Sequence, residues 1–181
     1  MLKWFLRKRL AAFETQFGYD TSYMRHVLDT DASAFLKFAR ASGVSAYRKD
    51  VPIDIYYAVK IVGALSADCG PCTQLVVTMA LRAGLPAITI AKILRGDDAE
   101  MTEPTRLGAR FARAVLARDA AADELREQIR RRYGERGVIS LGFALVSSQL
   151  FPTFKYALGY GHACQRIDLQ GTIITPRLAV A

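Results

Sequence analysis

The chain has 181 residues, of which 51% are hydrophobic and 23% charged, so it is long and apolar enough to bury a core as a single domain over residues 1–181, and intrinsic disorder is excluded. Lysine and arginine outnumber aspartate and glutamate by 25 to 17, and the resulting net charge of +8 suits polyanions or acidic membrane surfaces. No basic stripe interleaved with aromatic residues accompanies this charge, so we expect no nucleic-acid partner.

Residues 1–16 predict a basic amphipathic helix. Apolar side chains recur at helical spacing from Leu2 to Phe17, and most of the basic side chains lie between them. We expect this helix to dock on the domain with a solvated basic face, and peripheral contact with a membrane surface is the alternative. Basic residues between Lys3 and Arg9 interrupt the early apolar run, so the segment does not match a signal peptide. Three cysteines are too few for a disulfide framework, and we therefore expect a cytoplasmic protein.

The middle of the chain predicts a succession of helices with recognisable ends. Residues that can cap a helix start precede the early segments, and glycine or proline separates the later ones. We expect Asp31 to cap a helix that Gly43 ends, and Pro52 to begin the helix that leads to the cysteines. In chain order the predicted segments are "SYMRHVLDT", "ASAFLKFARAS", "PIDIYYAVKIVGALSA", "PCTQLVVTMALR" and "PAITIAKILRG".

The C-terminal half predicts further helices and hardly any strand. A long helix rich in alanine and arginine begins at Thr102, and a second helix ends at Gly134. The segment "GVISLGFALVSSQL" is typical of a buried helix that Phe151 and Pro152 break, and "TFKYALGYGHACQRI" predicts a last short helix. Only "GTIITP" has a strand-like β-branched run, and one strand cannot make a sheet. The predicted fold is therefore an all-α bundle of about eight helices.

The clearest chemical signal is the stretch "ADCGPCTQLVV", which holds two cysteines three residues apart. Side chains three apart in a regular helix lie about 5–6 Å from one another at Cβ, whereas a disulfide needs about 3.5–4.5 Å. A bridge therefore requires a helix start, which Gly70 and Pro71 supply. The positive end of the following helix favours a thiolate at Cys69. A redox pair of Cys69 and Cys72 is the leading interpretation, with half of a metal site or two buried structural cysteines as alternatives.

Thioredoxin carries the same Cys-Gly-Pro-Cys sequence, but there the motif follows a strand. A CxxC motif between two helices instead resembles the alkyl hydroperoxide reductase D (AhpD)-like proteins of the carboxymuconolactone decarboxylase superfamily. The matching core is about residues 52–96, and "KIVGALSADCGPCTQLVVTMALRAGLP" carries most of the likeness. The resemblance implies an AhpD-like helical domain and a homo-oligomer, either a dimer, a trimer or a hexamer. Decarboxylase or lactone chemistry is disfavoured, because the superfamily's founding enzymes act without a CxxC motif.

The resemblance carries over only two functional residues. In the family pattern an acid lies about two turns before the first cysteine and a histidine lies four residues after the second, and both relay protons. Those positions hold Lys60 and Val76 here, so only Cys69 and Cys72 match. Without a base beside Cys72, we expect Cys69 to be the nucleophile and Cys72 the resolving thiol. Lys60 would lower a thiol pKa if its ammonium reached the pair.

Other candidates surround the motif or lie elsewhere in the sequence. Asp68 opposes a thiolate at Cys69 unless its side chain turns away to cap the helix, and Gln74 can hydrogen-bond a substrate. His26 is a candidate acid or base from another helix. A zinc site is the alternative use of the cysteines, and it would combine Cys69 and Cys72 with His162 and Cys164. Apart from that alternative, we expect no cofactor and no metal.

The function that these observations predict is a thiol–disulfide oxidoreductase or alkylhydroperoxidase-like enzyme. Its substrate would be a peroxide or a disulfide, and a cellular thiol reductant would restore the dithiol. The alternative is a degenerate, non-catalytic family member that binds a small ligand or a protein partner, because the relay positions are occupied by Lys60 and Val76.

Overall fold

The computed structural model describes residues 1–163 and 166–177, and most of this part of the chain is helical. Within it the predicted all-α bundle of about eight helices is confirmed. The helices are α1 (Leu2–Phe17), α2 (Ser22–Thr30), α3 (Ala32–Ala46), α4 (Ile53–Ser66), α5 (Gly70–Arg82), α6 (Ala87–Arg95), α7 (Glu103–Ala117) and α8 (Ala121–Ala157). A 3₁₀ turn covers Asp98–Glu100, and two short strands follow α8, β1 (Ile167–Leu169) and β2 (Thr172–Ile174).

Helix α4 is the centre of the core. Every residue from Ala58 to Leu65 is buried, and the helix packs against α5, α6, α7 and α8. Two glycines allow this close packing. A Cβ at Gly108 of α7 would lie 2.7 Å from the Ile55 carbonyl oxygen, and a Cβ at Gly63 would overlap the Ser148 hydroxyl of α8. Helix α4 is apolar on all sides because neighbouring helices surround it.

The first three helices form a separate layer. Leu10, Val27, Leu28 and Phe35 make a second, smaller apolar cluster, to which the end of α8 contributes Phe154 and Leu158. The main cluster is centred instead on α4. The two apolar clusters lie side by side, and a cavity remains between the N-terminal layer and the rest of the bundle.

Several predicted helix ends are confirmed, and three are wrong. Asp31 caps α3, since its side chain accepts hydrogen bonds from Ser33 N at 2.7 Å and Ala34 N at 3.3 Å. Pro52 directly precedes α4. Gly43, however, does not end α3, which continues to Ala46. Glycine inside a helix costs only about 1 kcal/mol relative to alanine, so it does not by itself force an end.

Helix α8 merges three of the predicted segments. The chain kinks at Gly134, whose backbone has φ 69°, so the predicted stop there is a kink between two helical parts. Pro152 lies inside the helix and does not break it. The predicted last short helix is helical only over residues 153–157, at the end of α8, whereas residues 158–163 are not helical and Ile167 begins β1. Among the described residues, α8 is the one helix long and apolar enough to span a membrane by length and composition. It packs on α3, α4 and α7, as a core helix does, so this is weak evidence for a membrane.

The strand-like run near the C-terminus does find a partner, contrary to the prediction. Strand β2 pairs antiparallel with β1, with Ile167 opposite Ile174 and Leu169 opposite Thr172. The side chains of Ile167, Leu169 and Ile174 are buried, and the hairpin packs on α5 and α6. A three-residue strand carries too little periodicity to be recognised from sequence. The hairpin thus covers one side of the helix that carries the cysteine pair.

Candidate functional site

Cys69 and Cys72 are joined by a disulfide at the start of α5. Cys69 is the residue before the helix and has an extended backbone with φ −111° and ψ 99°, and Gly70 is the first helical residue. Their Cα atoms are 5.3 Å apart, within the usual range for a disulfide of about 4.4–6.8 Å. The break in the helix that the Gly-Pro pair predicts is therefore what brings the two sulfurs together.

The two cysteines have different surroundings. Cys69 is fully buried, and its carbonyl oxygen accepts hydrogen bonds from Thr73 N at 2.9 Å and Thr73 Oγ1 at 3.0 Å. The segment after α8 covers this side, where Gly70 N donates to the His162 carbonyl oxygen at 3.0 Å. Cys72 is 5% exposed and forms part of the wall of a large cavity. Of the two sulfurs, it is therefore the Cys72 sulfur that a molecule in the cavity can approach.

A tyrosine hydroxyl lies against the Cys72 sulfur. The Tyr19 oxygen is 3.7 Å from Cys72 Sγ, and because a disulfide sulfur carries no proton, the phenol is the donor. Burial raises the pKa of Tyr19, so the hydroxyl keeps its proton at neutral pH. Tyr19 precedes α2 by three residues, and no motif links it to the cysteines in the sequence. For that reason the sequence alone does not identify Tyr19 as part of the site.

A buried ammonium lies behind this tyrosine. Lys155 of α8 is 1% exposed, and its Nζ lies 5.0 Å from the centroid of the Tyr19 ring and 5.5 Å from that of Tyr23. Burial lowers the pKa of Lys155, and the charge of Asp20 acts in the opposite direction. The buried Tyr23 hydroxyl has no partner in hydrogen-bond geometry among the described residues. The Lys155 ammonium thus packs on the rings of both tyrosines, one of which contacts Cys72.

The cavity beside Cys72 has a volume of about 810 Å³. It lies between the N-terminal layer, α1 to α3, and the facing sides of α4, α5 and α8. Its size falls within the range of about 300–1,000 Å³ that is typical of small-molecule sites. The wall is mainly aliphatic and aromatic and includes Leu10, Phe13, Phe35, Phe38, Leu75 and Met79.

Lys60 lies on the same cavity wall, but its ammonium donates to Ser45 and not to the cysteine pair. Its side chain is buried, and Nζ donates to the Ser45 carbonyl oxygen at 3.1 Å and to Ser45 Oγ at 2.9 Å. The Tyr56 ring centroid is 5.4 Å away. Burial lowers the pKa of Lys60 to about 8. These hydrogen bonds direct the ammonium to the end of α3, and neither sulfur is among its hydrogen-bond acceptors.

The other sequence candidates hold structural positions. The Gln74 side-chain amide pairs with the backbone of Asp168 in β1, donating at 2.9 Å and accepting at 2.8 Å, so it fastens the hairpin to α5. Asp68 is half-buried with φ 46°, and its carbonyl oxygen accepts a hydrogen bond from the Tyr156 hydroxyl at 2.7 Å. His26 is exposed, and its ring lies against Tyr160 rather than on the cavity.

The ligands of the alternative zinc site are not brought together in the described residues. Cys69 and Cys72 are bonded to each other, and the side chain of His162 is exposed. Cys164 lies outside the described residues. Within residues 1–163 and 166–177, no three His, Cys, Asp or Glu side chains are grouped so that they could hold a metal ion.

Comparison with known proteins finds no relative of this chain. The chain matches no family model, no curated protein and no solved structure. The functional interpretation therefore depends on the disulfide, the cavity and the side chains around them.

Proposed function

We propose that this protein is a thiol–disulfide oxidoreductase whose Cys69–Cys72 pair acts on an organic molecule held in the cavity beside α5. The observation that carries the proposal is the difference between the two sulfurs: Cys69 is enclosed, and Cys72 lies on the wall of an apolar cavity of about 810 Å³. A structural disulfide requires no such cavity. A CxxC pair at a helix start is also where thiol pKa values are commonly lowered.

The geometry favours Cys72 as the attacking thiol, which reverses the assignment expected from sequence. Cys72 is the third residue of α5, so the unpaired N–H groups of the first turn favour its thiolate. The Tyr19 hydroxyl supplies a further donor to the same sulfur. Cys69 is enclosed on the other side and is placed to resolve the intermediate formed on Cys72.

The proposed reaction consumes one peroxide for each disulfide formed. The Cys72 thiol ionises, and its thiolate attacks the outer oxygen of an organic hydroperoxide. The O–O bond breaks, the leaving alkoxide takes up the proton that the thiol released, and the products are an alcohol and a sulfenic acid on Cys72. The Cys69 thiol then displaces this oxygen as water and forms the disulfide. With an organic disulfide as substrate, a mixed disulfide replaces the sulfenic acid. A cellular dithiol returns two electrons and two protons to the pair.

The test separates the roles of the two cysteines. Protein equilibrated at defined ratios of reduced to oxidised dithiothreitol should interconvert reversibly between dithiol and disulfide, as measured by thiol titration. We expect Cys69→Ser to trap cumene hydroperoxide oxidation as a sulfenic acid on Cys72, detectable by mass spectrometry with a dimedone probe. Cys72→Ser should show no such adduct on Cys69 at the same exposure time. A disulfide that cannot be reformed after reduction would refute the proposal.

The second candidate function is ligand binding without redox turnover. The observation in its favour is that the relay positions of the resembled family hold Lys60 and Val76, and Val76 is part of the apolar wall. This function predicts that the double variant Cys69→Ser/Cys72→Ser supports normal cell function. The oxidoreductase proposal predicts that this variant loses it.

A further inference from the structure

The charges on the cavity wall are all of one sign. Four basic side chains contribute to it, Arg9, Arg40, Arg48 and Lys60, and none of the described residues that line it is an aspartate or a glutamate. None of these four bases forms an ion pair with an acidic side chain of the described chain. An apolar cavity with cations and no balancing anion is complementary to a negatively charged molecule.

Lys60 is the most informative of these bases because it is buried, with only 5% of its surface exposed. A buried ammonium is costly unless it is paired with an anion. Lysine has three N–H donors, and two of them go to the neutral oxygens of Ser45. The third donor has no acceptor among the hydrogen bonds of the described residues, and because Lys60 lines the cavity, a carboxylate there would supply the missing charge partner.

Three polar residues of the cavity wall, Ser45, Tyr56 and Lys60, are linked by hydrogen bonds. The Ser45 carbonyl oxygen accepts from both Lys60 and the Tyr56 hydroxyl, the latter at 2.6 Å, and Arg48 follows Ser45 by three residues. On α4, Lys60 and Ala64 face the same cavity one helical turn apart, and Cys72 of α5 faces it as well. A molecule with its charged group at Lys60 therefore has an apolar space that leads to the disulfide.

We propose that the cavity binds an anionic amphiphile, with a carboxylate at Lys60 and Ser45 and an apolar chain along the aromatic wall toward Cys72. This inference builds on the proposed function, because it names the class of molecule that the cavity presents to the cysteine pair. The apolar part supplies affinity through burial, and the carboxylate sets the orientation.

Calorimetric titration of the oxidised protein with three probes tests the charge requirement: dodecanoate, dodecanol and dodecyltrimethylammonium, each below its micelle concentration. We expect dodecanoate to bind about tenfold or more tightly than dodecanol, since a hydrogen bond to a charged group contributes more than a neutral one. Dodecyltrimethylammonium should bind most weakly. Equal affinity for all three probes, or a preference for the cation, would overturn the inference.

Lys60→Met and Lys92→Met form a matched pair of variants. Lys60→Met keeps the apolar stem and should weaken dodecanoate binding about tenfold while leaving dodecanol binding unchanged. Lys92 is on α6 and does not line the cavity, so Lys92→Met should bind dodecanoate like the original protein. Unchanged dodecanoate affinity in Lys60→Met would contradict the assignment of Lys60.

A pH series covers the case in which Lys60→Met fails to fold. Dodecanoate affinity of the unmodified protein should fall as Lys60 loses its charge above about pH 8. Burial raises the pKa of Tyr56 to about 12 and also raises that of Tyr57, so neither phenol loses its proton in that range. Burial also lowers the pKa of Lys155, but Lys155 lies behind the rings of Tyr19 and Tyr23 and does not line the cavity. A flat profile to pH 10 would refute the role of Lys60.

The double variant Cys69→Ser/Cys72→Ser separates this inference from the proposed function. Dodecanoate binding that persists there while reversible disulfide formation fails in the unmodified protein would leave the ligand assignment standing and remove the redox proposal. Reversible redox cycling without dodecanoate binding would leave the redox proposal standing and remove the ligand assignment.

Discussion

Replacing Tyr19 with phenylalanine should raise the pKa of the Cys72 thiol by about one to two units. The substitution removes the hydroxyl that lies 3.7 Å from Cys72 Sγ. It keeps the ring, which packs edge to face against Phe13 and Tyr23 at centroid distances of 6.1 Å and 6.5 Å. In the reduced protein this hydroxyl would donate to a thiolate, and a hydrogen bond to a charged group contributes about 1.5–3 kcal/mol. At about 1.36 kcal/mol per pKa unit, its loss corresponds to the predicted shift.

The assay is the pH dependence of the rate at which iodoacetamide alkylates Cys72, measured in a Cys69→Ser/Cys164→Ser background so that one thiol reacts. Tyr160→Phe is the matched control, because Tyr160 contacts His26 and does not line the cavity. An identical apparent pKa with and without the Tyr19 hydroxyl would refute the reasoning that this contact stabilises the thiolate.

Three further predictions test the charge, the packing and the assembly. Folding lowers the pKa of Lys60 from 10.5 to about 8. Between pH 8 and pH 10.5 the unfolded chain therefore binds more protons than the folded chain, so the free energy of unfolding rises with pH in this range. Lys60→Met should remove the part of this rise that Lys60 contributes, leaving a smaller part from Lys155, whose pKa burial also lowers. It should also increase the free energy of unfolding at pH 7 by up to about 3 kcal/mol, as measured by urea denaturation at each pH; an unchanged pH profile would contradict it. Gly108→Ala should destabilise the protein by about 1–3 kcal/mol, because its Cβ would lie 2.7 Å from the Ile55 carbonyl oxygen. Gly142→Ala, with no atom within 4 Å of the new Cβ, should instead stabilise it by about 0.5–1 kcal/mol, and the same sign for both would refute the packing argument. Four apolar side chains of α8 are exposed at helical spacing: Ile139, Phe143, Val146 and Leu150. The predicted homo-oligomer should use this stripe, so Val146→Glu should shift the mass measured by light scattering toward the monomer, whereas a monomeric unmodified protein would make the oligomer prediction wrong.

Local signals in the sequence were enough to predict the helix that presents the cysteines. Pro52 before α4 and the Gly-Pro pair at the start of α5 each act through their own backbone preferences, which do not depend on distant residues. Gly43 and Pro152 were misleading because tertiary packing outweighs a local penalty of a few kcal/mol. Pro152 is buried in the bundle, where it lines the cavity.

The surroundings of the cysteine pair could not be predicted in the same way. Tyr19 and Lys155 come from a loop and from the last helix, and the packing of α1, α2 and α8 brings them together beside Cys72. No spacing in the sequence records such contacts. Lys60 was identified as a candidate from its position before the motif, but only the fold shows that its ammonium bonds to Ser45.

The enclosure of Cys69 has a kinetic consequence. In the described residues the pair is accessible from the Cys72 side, so in the proposed reaction the oxidising substrate and the reducing dithiol have to use the same entrance in turn. Turnover would then follow ping-pong kinetics, and a long-chain product that leaves slowly would inhibit regeneration competitively with the reductant.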